Sequence, residues 1–387
     1  MALNADETAH SAALLQLILQ RIGAAGGFLD FAAFMDLALY APGLGYYSAG
    51  SAKLGAAGDF TTAPEMSDLF AGCVAHQCAQ VLESIPGGTI LELGAGSGRL
   101  AAAVLRRLAL ADRVPATYDI LEVSADLAAR QRQHLDGLPG VLRSRVRWLQ
   151  QLPTAMSGVI LANEVLDALP CRRFVIEDDA AAPVADLGVV LAADGTLGWA
   201  TRPADALLRA AVAELSAQLP QALSPGYSSE VCLLAGPWIA SLAAPLERGA
   251  LLLFDYGLPR AQYYHPERRS GTLSCHFKHT VHFDPLINVG VQDITAWVDF
   301  TRVAQAGIAA GLEVLGFCTQ AGFLLGSGID ALLGRAHEPI EQVRLSGEAR
   351  RLLMPGEMGE AFKLLALGRG IDTPLMSFSH QDLRDSL

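Results

Sequence analysis

The chain has 387 residues, 51% hydrophobic and 18% charged, with a formal net charge of -12. That is ample material for a large core and excludes a chain dominated by disorder. With 28 basic residues against 40 acids, it also argues against a nucleic-acid partner held through phosphates.

The first ten residues, MALNADETAH, are acidic, and the apolar run that follows is short and broken by Gln16 and Gln20. It has neither the basic start of a secretory signal nor the Arg-rich pattern of a transit peptide. No run of about 18 apolar residues occurs, so no membrane insertion is expected. The six cysteines form no Cys-x-x-Cys pair, which fits free thiols in a reducing, cytoplasmic setting.

Residues 1–85 read as a mainly helical region, interrupted by a Gly-rich stretch from Pro42 to Gly58. From residue 86, strand and helix signals alternate. Strands are expected at 89–94, 117–123, 145–149 and 158–163, and helices at 98–109 and 125–136. This rhythm predicts an α/β fold with a mainly parallel sheet and right-handed crossovers. It lapses over 171–245, which reads as an insertion subdomain with its own hairpins and a helix near 204–219. The core resumes with a strand at 249–257. A polar, His-rich loop from Tyr263 to Asp293, a helix over 295–310, and a final helix passing into a strand in EMGEAFKLLALGRG (357–370) complete it. The expected organisation is therefore 1–85, a core of 86–170 with 246–387, and the insertion 171–245.

The chemistry concentrates at the first core strand. ELGAGSG places Glu92 on the strand and Gly94, Gly96 and Gly98 in the turn that follows. Glycine is needed where the backbone turns sharply and a ligand approaches it closely. The helix begins with Arg99-Leu100 rather than Gly-Lys-Ser/Thr, which argues against a P-loop. A dinucleotide turn reads G-x-G-x-x-G and cradles a diphosphate. The spacing here is G-x-G-x-G above an acid, which resembles motif I of class I S-adenosylmethionine (SAM) methyltransferases. Glu122, near the end of the next strand, is placed to accept ribose hydroxyls, a role either nucleoside cofactor would use. In GVILANEVLDALP (158–170), Asn163 and Glu164 end a strand at the expected crevice, with Asp167 three residues on. Asn163 is a candidate for the cofactor's ammonium or the acceptor, and Glu164 for holding or deprotonating a cationic acceptor. Asp167 is equally suited to the first turn of a helix.

FMDLALYAPGLGYYS (34–48), GDFTTAPEMSDLF (58–70), ILELGAGSG (90–98), ANEVLDALP (162–170), YYHPERRSGTLSCHFKH (263–279) and QDITAWVDFT (292–301) together resemble the MidA-like methyltransferases. The likeness covers nearly the whole chain and is weakest over 175–245. It implies a class I SAM-methyltransferase (Rossmann-like) core with a helical N-terminal region and an inserted segment, SAM as cofactor, and a protein methyl acceptor. The family includes a mitochondrial complex I assembly arginine methyltransferase, so a complex I subunit is the acceptor by analogy. Thr61, Thr62 and Pro64 are then candidates to line the cofactor, with the threonines on its carboxylate. Thr62 and Glu65 equally spell a capping box. Tyr46 and Tyr47, among the glycines of 42–50, are candidates for a lid, with Tyr46 on the cofactor. A guanidinium acceptor needs carboxylates to orient one nitrogen, and Glu65, Glu164, Asp167 and Asp255 are the candidates. His276, His279 and His282 are spaced three apart, which is not a familiar zinc spacing, so no metal is expected. The alternatives are an assembly chaperone that keeps the SAM fold without turnover and, disfavoured by the glycine spacing, an NAD(P) oxidoreductase. The insertion is a candidate dimerisation surface, which leaves a homodimer open.

Overall fold

The computed structural model describes residues 3–49, 62–179, 181, 183–335 and 338–387. Its centre is a sheet whose long strands, in chain order, are β1 (Thr89–Leu93), β2 (Tyr118–Leu121), β3 (Val146–Leu149), β4 (Met156–Asn163), β5 (Leu246–Leu258), β6 (Glu313–Thr319) and β7 (Phe362–Arg369). They lie in the order β3-β2-β1-β4-β5-β7-β6. The first five pair in parallel, with Glu92 opposite Leu161 and Phe254 opposite Asn163, whereas β7 runs antiparallel to both neighbours. The inner strands are apolar on both faces because helices cover both. Helices Asp68–Glu83 and Arg99–Leu110 bury Phe70, Val74, Leu105 and Leu108 on one face. Helices Ala235–Ala243 and Phe300–Ala309 bury Ile239, Leu242, Phe300 and Val303 on the other.

The expected insertion builds a second, antiparallel sheet from Arg172–Ile176, Val184–Leu191, Leu197–Pro203 and Ser228–Val231. The N-terminus adds to it: Leu29 and Asp30 pair with Val189 and Gly188. Asp30 also caps the next helix, Phe31–Tyr40, by accepting the Ala33 N–H. Arg172 ties this sheet together with hydrogen bonds to buried Asp186 and to Asp205. The chain rejoins the core at Ala235–Ala243, before residue 246, because the apolar face of that helix packs on the central sheet.

Three other expectations are corrected. The His-rich stretch is only in part a loop: Ser274–Phe277, Thr280–His282 and Asp293–Thr295 form a three-stranded sheet under the N-terminal helices. The helix expected over 295–310 starts at Phe300, where Asp299 accepts the Arg302 N–H as its cap. The helix before the last strand is Pro339–Leu353, and residues 357–361 are a turn. Among the described residues, no helix is long and apolar enough to cross a membrane.

Candidate active site

A cleft of about 860 Å³ opens at the carboxyl ends of β1, β2 and β4, where the strand order reverses and open α/β sheets bind ligands. Its floor is the glycine turn. Gly94, Gly96 and Gly98 have φ of 62°, 53° and 83°, a left-handed backbone that glycine adopts without steric cost. Gly94 and Gly96 line the cleft. Gly98 does not: it is the N-cap of helix Arg99–Leu110 and lies against Gln131, so its role is the turn itself. Beneath the turn, Glu92 is 3% exposed and accepts a 2.8 Å hydrogen bond from the Tyr118 hydroxyl. Burial raises its carboxyl to about 7, against the lowering effect of Tyr118.

At the tip of β2, Glu122 accepts the Ser124 N–H at 2.9 Å and the Gln131 amide at 2.9 Å, and burial pushes its pKa up. Gln131 also donates to the Gly96 carbonyl at 3.0 Å, so one side chain locks the acid to the glycine turn. Leu121, Val123, Leu127, Leu152, Trp238 and Leu242 give this end an apolar wall.

At the tip of β4, Glu164 adopts φ 55°, a left-handed conformation that costs a non-glycine residue about 1 kcal/mol or more. The turn is held from below by Asp255 on β5. Asp255 is fully buried, and its Oδ2 accepts the N–H groups of Val165, Leu166 and Asp167 at 2.9–3.2 Å. Glu164 lines the cleft with Asn163, which donates to its Oε1 at 3.1 Å. Burial and the charge of Asp167 push the Glu164 carboxyl up to about 8, with Asn163 acting against them.

Asp167 and Asp255, expected among the residues that orient the acceptor, do not line this cleft. Asp167 is 5% exposed and accepts the Tyr256 hydroxyl at 2.6 Å; burial raises it to about 6. Tyr46 is also corrected: it is buried among the N-terminal helices, and Tyr47 and Tyr40 line the cleft instead. Thr62, Pro64 and Glu65 line it too. The capping box does not form, since Thr62 makes no side-chain cap and Glu65 instead accepts the Ser97 hydroxyl. Thr61 lies outside the described residues. His276 sits on one strand, His279 in the turn and His282 on the next strand. Among the described residues no group of three or more His, Cys, Asp or Glu is placed to hold a metal ion.

Sequence reasoning missed Tyr40, Trp238 and Asp293, whose carboxylate accepts the Tyr47 hydroxyl at 3.0 and 3.1 Å. They arrive from the end of a helix, from the returning helix of the insertion and from the third sheet. No local spacing announces them.

The donor set fits SAM. Glu122 would accept the ribose hydroxyls, the apolar wall would take the base, and the buried Glu92 carboxyl beneath the glycine turn would disfavour a diphosphate and suit a cationic amino-acid arm. Strand order, turn and acids together define a class I SAM-dependent methyltransferase. The comparisons agree. The family model for S-adenosyl-L-methionine-dependent methyltransferases matches residues 73–318, and the chain belongs to that family. It is 30% identical over 406 residues to the protein arginine methyltransferase NDUFAF7, mitochondrial, of Rattus norvegicus, covering 93% of this chain and 85% of that protein. It is 31% identical to the Mus musculus counterpart, covering 88% and 81%. Among solved structures, a COG1565 superfamily member and likely methyl transferase from Burkholderia thailandensis, bound to S-adenosyl-homocysteine, is 38% identical over the full length of both chains with a TM-score of 0.94.

Proposed function

We propose that this methyltransferase acts on arginine in a protein acceptor. The names of the Rattus and Mus relatives support the reading. The observation in this chain that carries it is Glu164, a half-buried carboxyl raised to about 8 at the cleft wall. A guanidinium is always charged and carries only donors. Its arrival opposite Glu164 replaces the missing solvation and draws the carboxyl into its ionised form. Asn163 holds Oε1, which leaves Oε2 to accept a guanidinium N–H and to take the proton that the nitrogen loses on methylation. SAM supplies the methyl group on a cationic sulfur. Glu65, fixed by Ser97, offers a second carboxylate on the same cleft.

The test is transfer of tritiated methyl from SAM into proteins of a cell extract, followed by hydrolysis and amino-acid analysis. Label is expected in methylarginine. Glu164→Gln is expected to lower transfer by about a hundredfold or more, in the range of a lost general base, while binding S-adenosylhomocysteine within about twofold of the parent chain. Label confined to other residues, or full transfer by the variant, would overturn the reading.

A further inference from the structure

Two tyrosines line the cleft near the turn after β4. Tyr40 ends helix Phe31–Tyr40, and Tyr47 follows in the turn whose backbone bonds back onto that helix, Tyr47 N–H to the Leu39 carbonyl at 2.8 Å. Their rings stack, with centroids 5.6 Å apart and planes 24° from parallel. Each is anchored through its hydroxyl. Tyr40 donates to the Ala168 carbonyl at 3.0 Å, just past the Glu164 turn, and Tyr47 donates to Asp293. Both hydroxyls are engaged within the protein, and both residues line the cleft. Burial, with the charges of Asp293 and Asp167 close behind, keeps both phenols protonated, so they supply no base. Tyr46, packed edge-on to Tyr47 with centroids 5.1 Å apart, supports the pair from within the core.

We infer that Tyr40 and Tyr47 are specificity-determining residues, an aromatic wall that selects a planar guanidinium over an ammonium at the acceptor end of the cleft. A guanidinium pairs with a carboxylate through its edge and stacks on a tyrosine through its face; the compact, strongly hydrated ammonium of lysine does only the first. The wall rests on the arginine reading above and can fail separately from it.

The test titrates the S-adenosylhomocysteine-loaded protein with N-acetyl-arginine amide and N-acetyl-lysine amide, followed by calorimetry. The parent chain is expected to favour the arginine compound about tenfold or more. Tyr47→Leu and Tyr40→Leu are expected to erase that preference while holding S-adenosylhomocysteine affinity within about twofold. Tyr47→Phe, which keeps the ring, is expected to retain it. Absence of preference in the parent chain, or its survival in the double Leu variant, overturns the inference. So does loss of S-adenosylhomocysteine affinity in step with the preference, since the rings would then wall the cofactor. Failure of the arginine reading is seen independently, as label outside methylarginine with the parent chain.

Discussion

Glu164 combines a left-handed backbone with a half-buried, raised carboxyl, two features that work against stability at one position. The sign of the second can be followed with pH. The folded state holds the proton up to about pH 8, whereas an exposed glutamate releases it near 4.3. Between those values the folded form binds more protons, so this group's contribution falls as pH rises and is fully unfavourable above about 8. Glu164→Gln removes that slope. Denaturant midpoints are expected to show the variant gaining on the parent chain from pH 5 to 8, by as much as roughly 4 kcal/mol at about 1.36 for each pH unit. Activity runs the other way. If the ionised carboxyl takes the acceptor, kcat/KM rises with pH and levels off above about 8, as a free-enzyme profile reports. At the other end of the cleft, Glu122→Ala is expected to weaken S-adenosylhomocysteine by about tenfold in calorimetry, roughly 1.4 kcal/mol for a charged hydrogen-bond acceptor. Both acids were legible because each ends an apolar strand next to a recognisable turn. Tyr46 and Tyr47 were not separable that way. Which of two adjacent rings faces the cleft is set by the turn that pins their backbones to Ala38 and Leu39, and no side-chain pattern encodes it.

Among the elements, the turn after β4 depends on a strand that follows it by about ninety positions. Asp255 offers one oxygen to three consecutive N–H groups, the arrangement of a helix cap supplied from a neighbouring strand. Asp255→Ala leaves those donors without their partner in a buried site. The expected cost is about 3 kcal/mol or more, read as a lowered urea midpoint, with loss of cofactor affinity because Asn163 and Glu164 lose their support. Sequence placed Asp255 correctly at a strand end but assigned it to the acceptor, since a strand-end acid looks the same whether it faces ligand or backbone. The parallel strands and their helices were readable from apolar runs and period. The later segments were not, because their boundaries are set by partners. Asp293–Thr295 becomes a strand by pairing with Ser274–His276. Pro355 and Gly356 end helix Pro339–Leu353 before the stretch that looked helical.

At the scale of the molecule, the cleft draws on the N-terminal region, the central sheet and the returning helix of the insertion. A ligand bound there links all three to one equilibrium. S-adenosylhomocysteine at about a hundred times its dissociation constant is expected to raise the unfolding free energy by about 2.7 kcal/mol. Hydrogen exchange would report whether that protection reaches Phe31–Tyr40 as well as β1; exchange slowed only at β1 and β2 would show that the N-terminal helices open independently. The pairing of Leu29 and Asp30 with Val189 and Gly188 also sets a timetable during synthesis. The N-terminal pair leaves the ribosome first, and its partner follows about 160 residues later, roughly 10–30 s at bacterial and eukaryotic elongation rates. Over that interval the apolar residues Phe31, Phe34 and Met35, which end up buried, have no sheet to cover them. The nascent chain therefore exposes these side chains while its N-terminus is already complete, and a pause in translation before residue 184 would prolong that exposure.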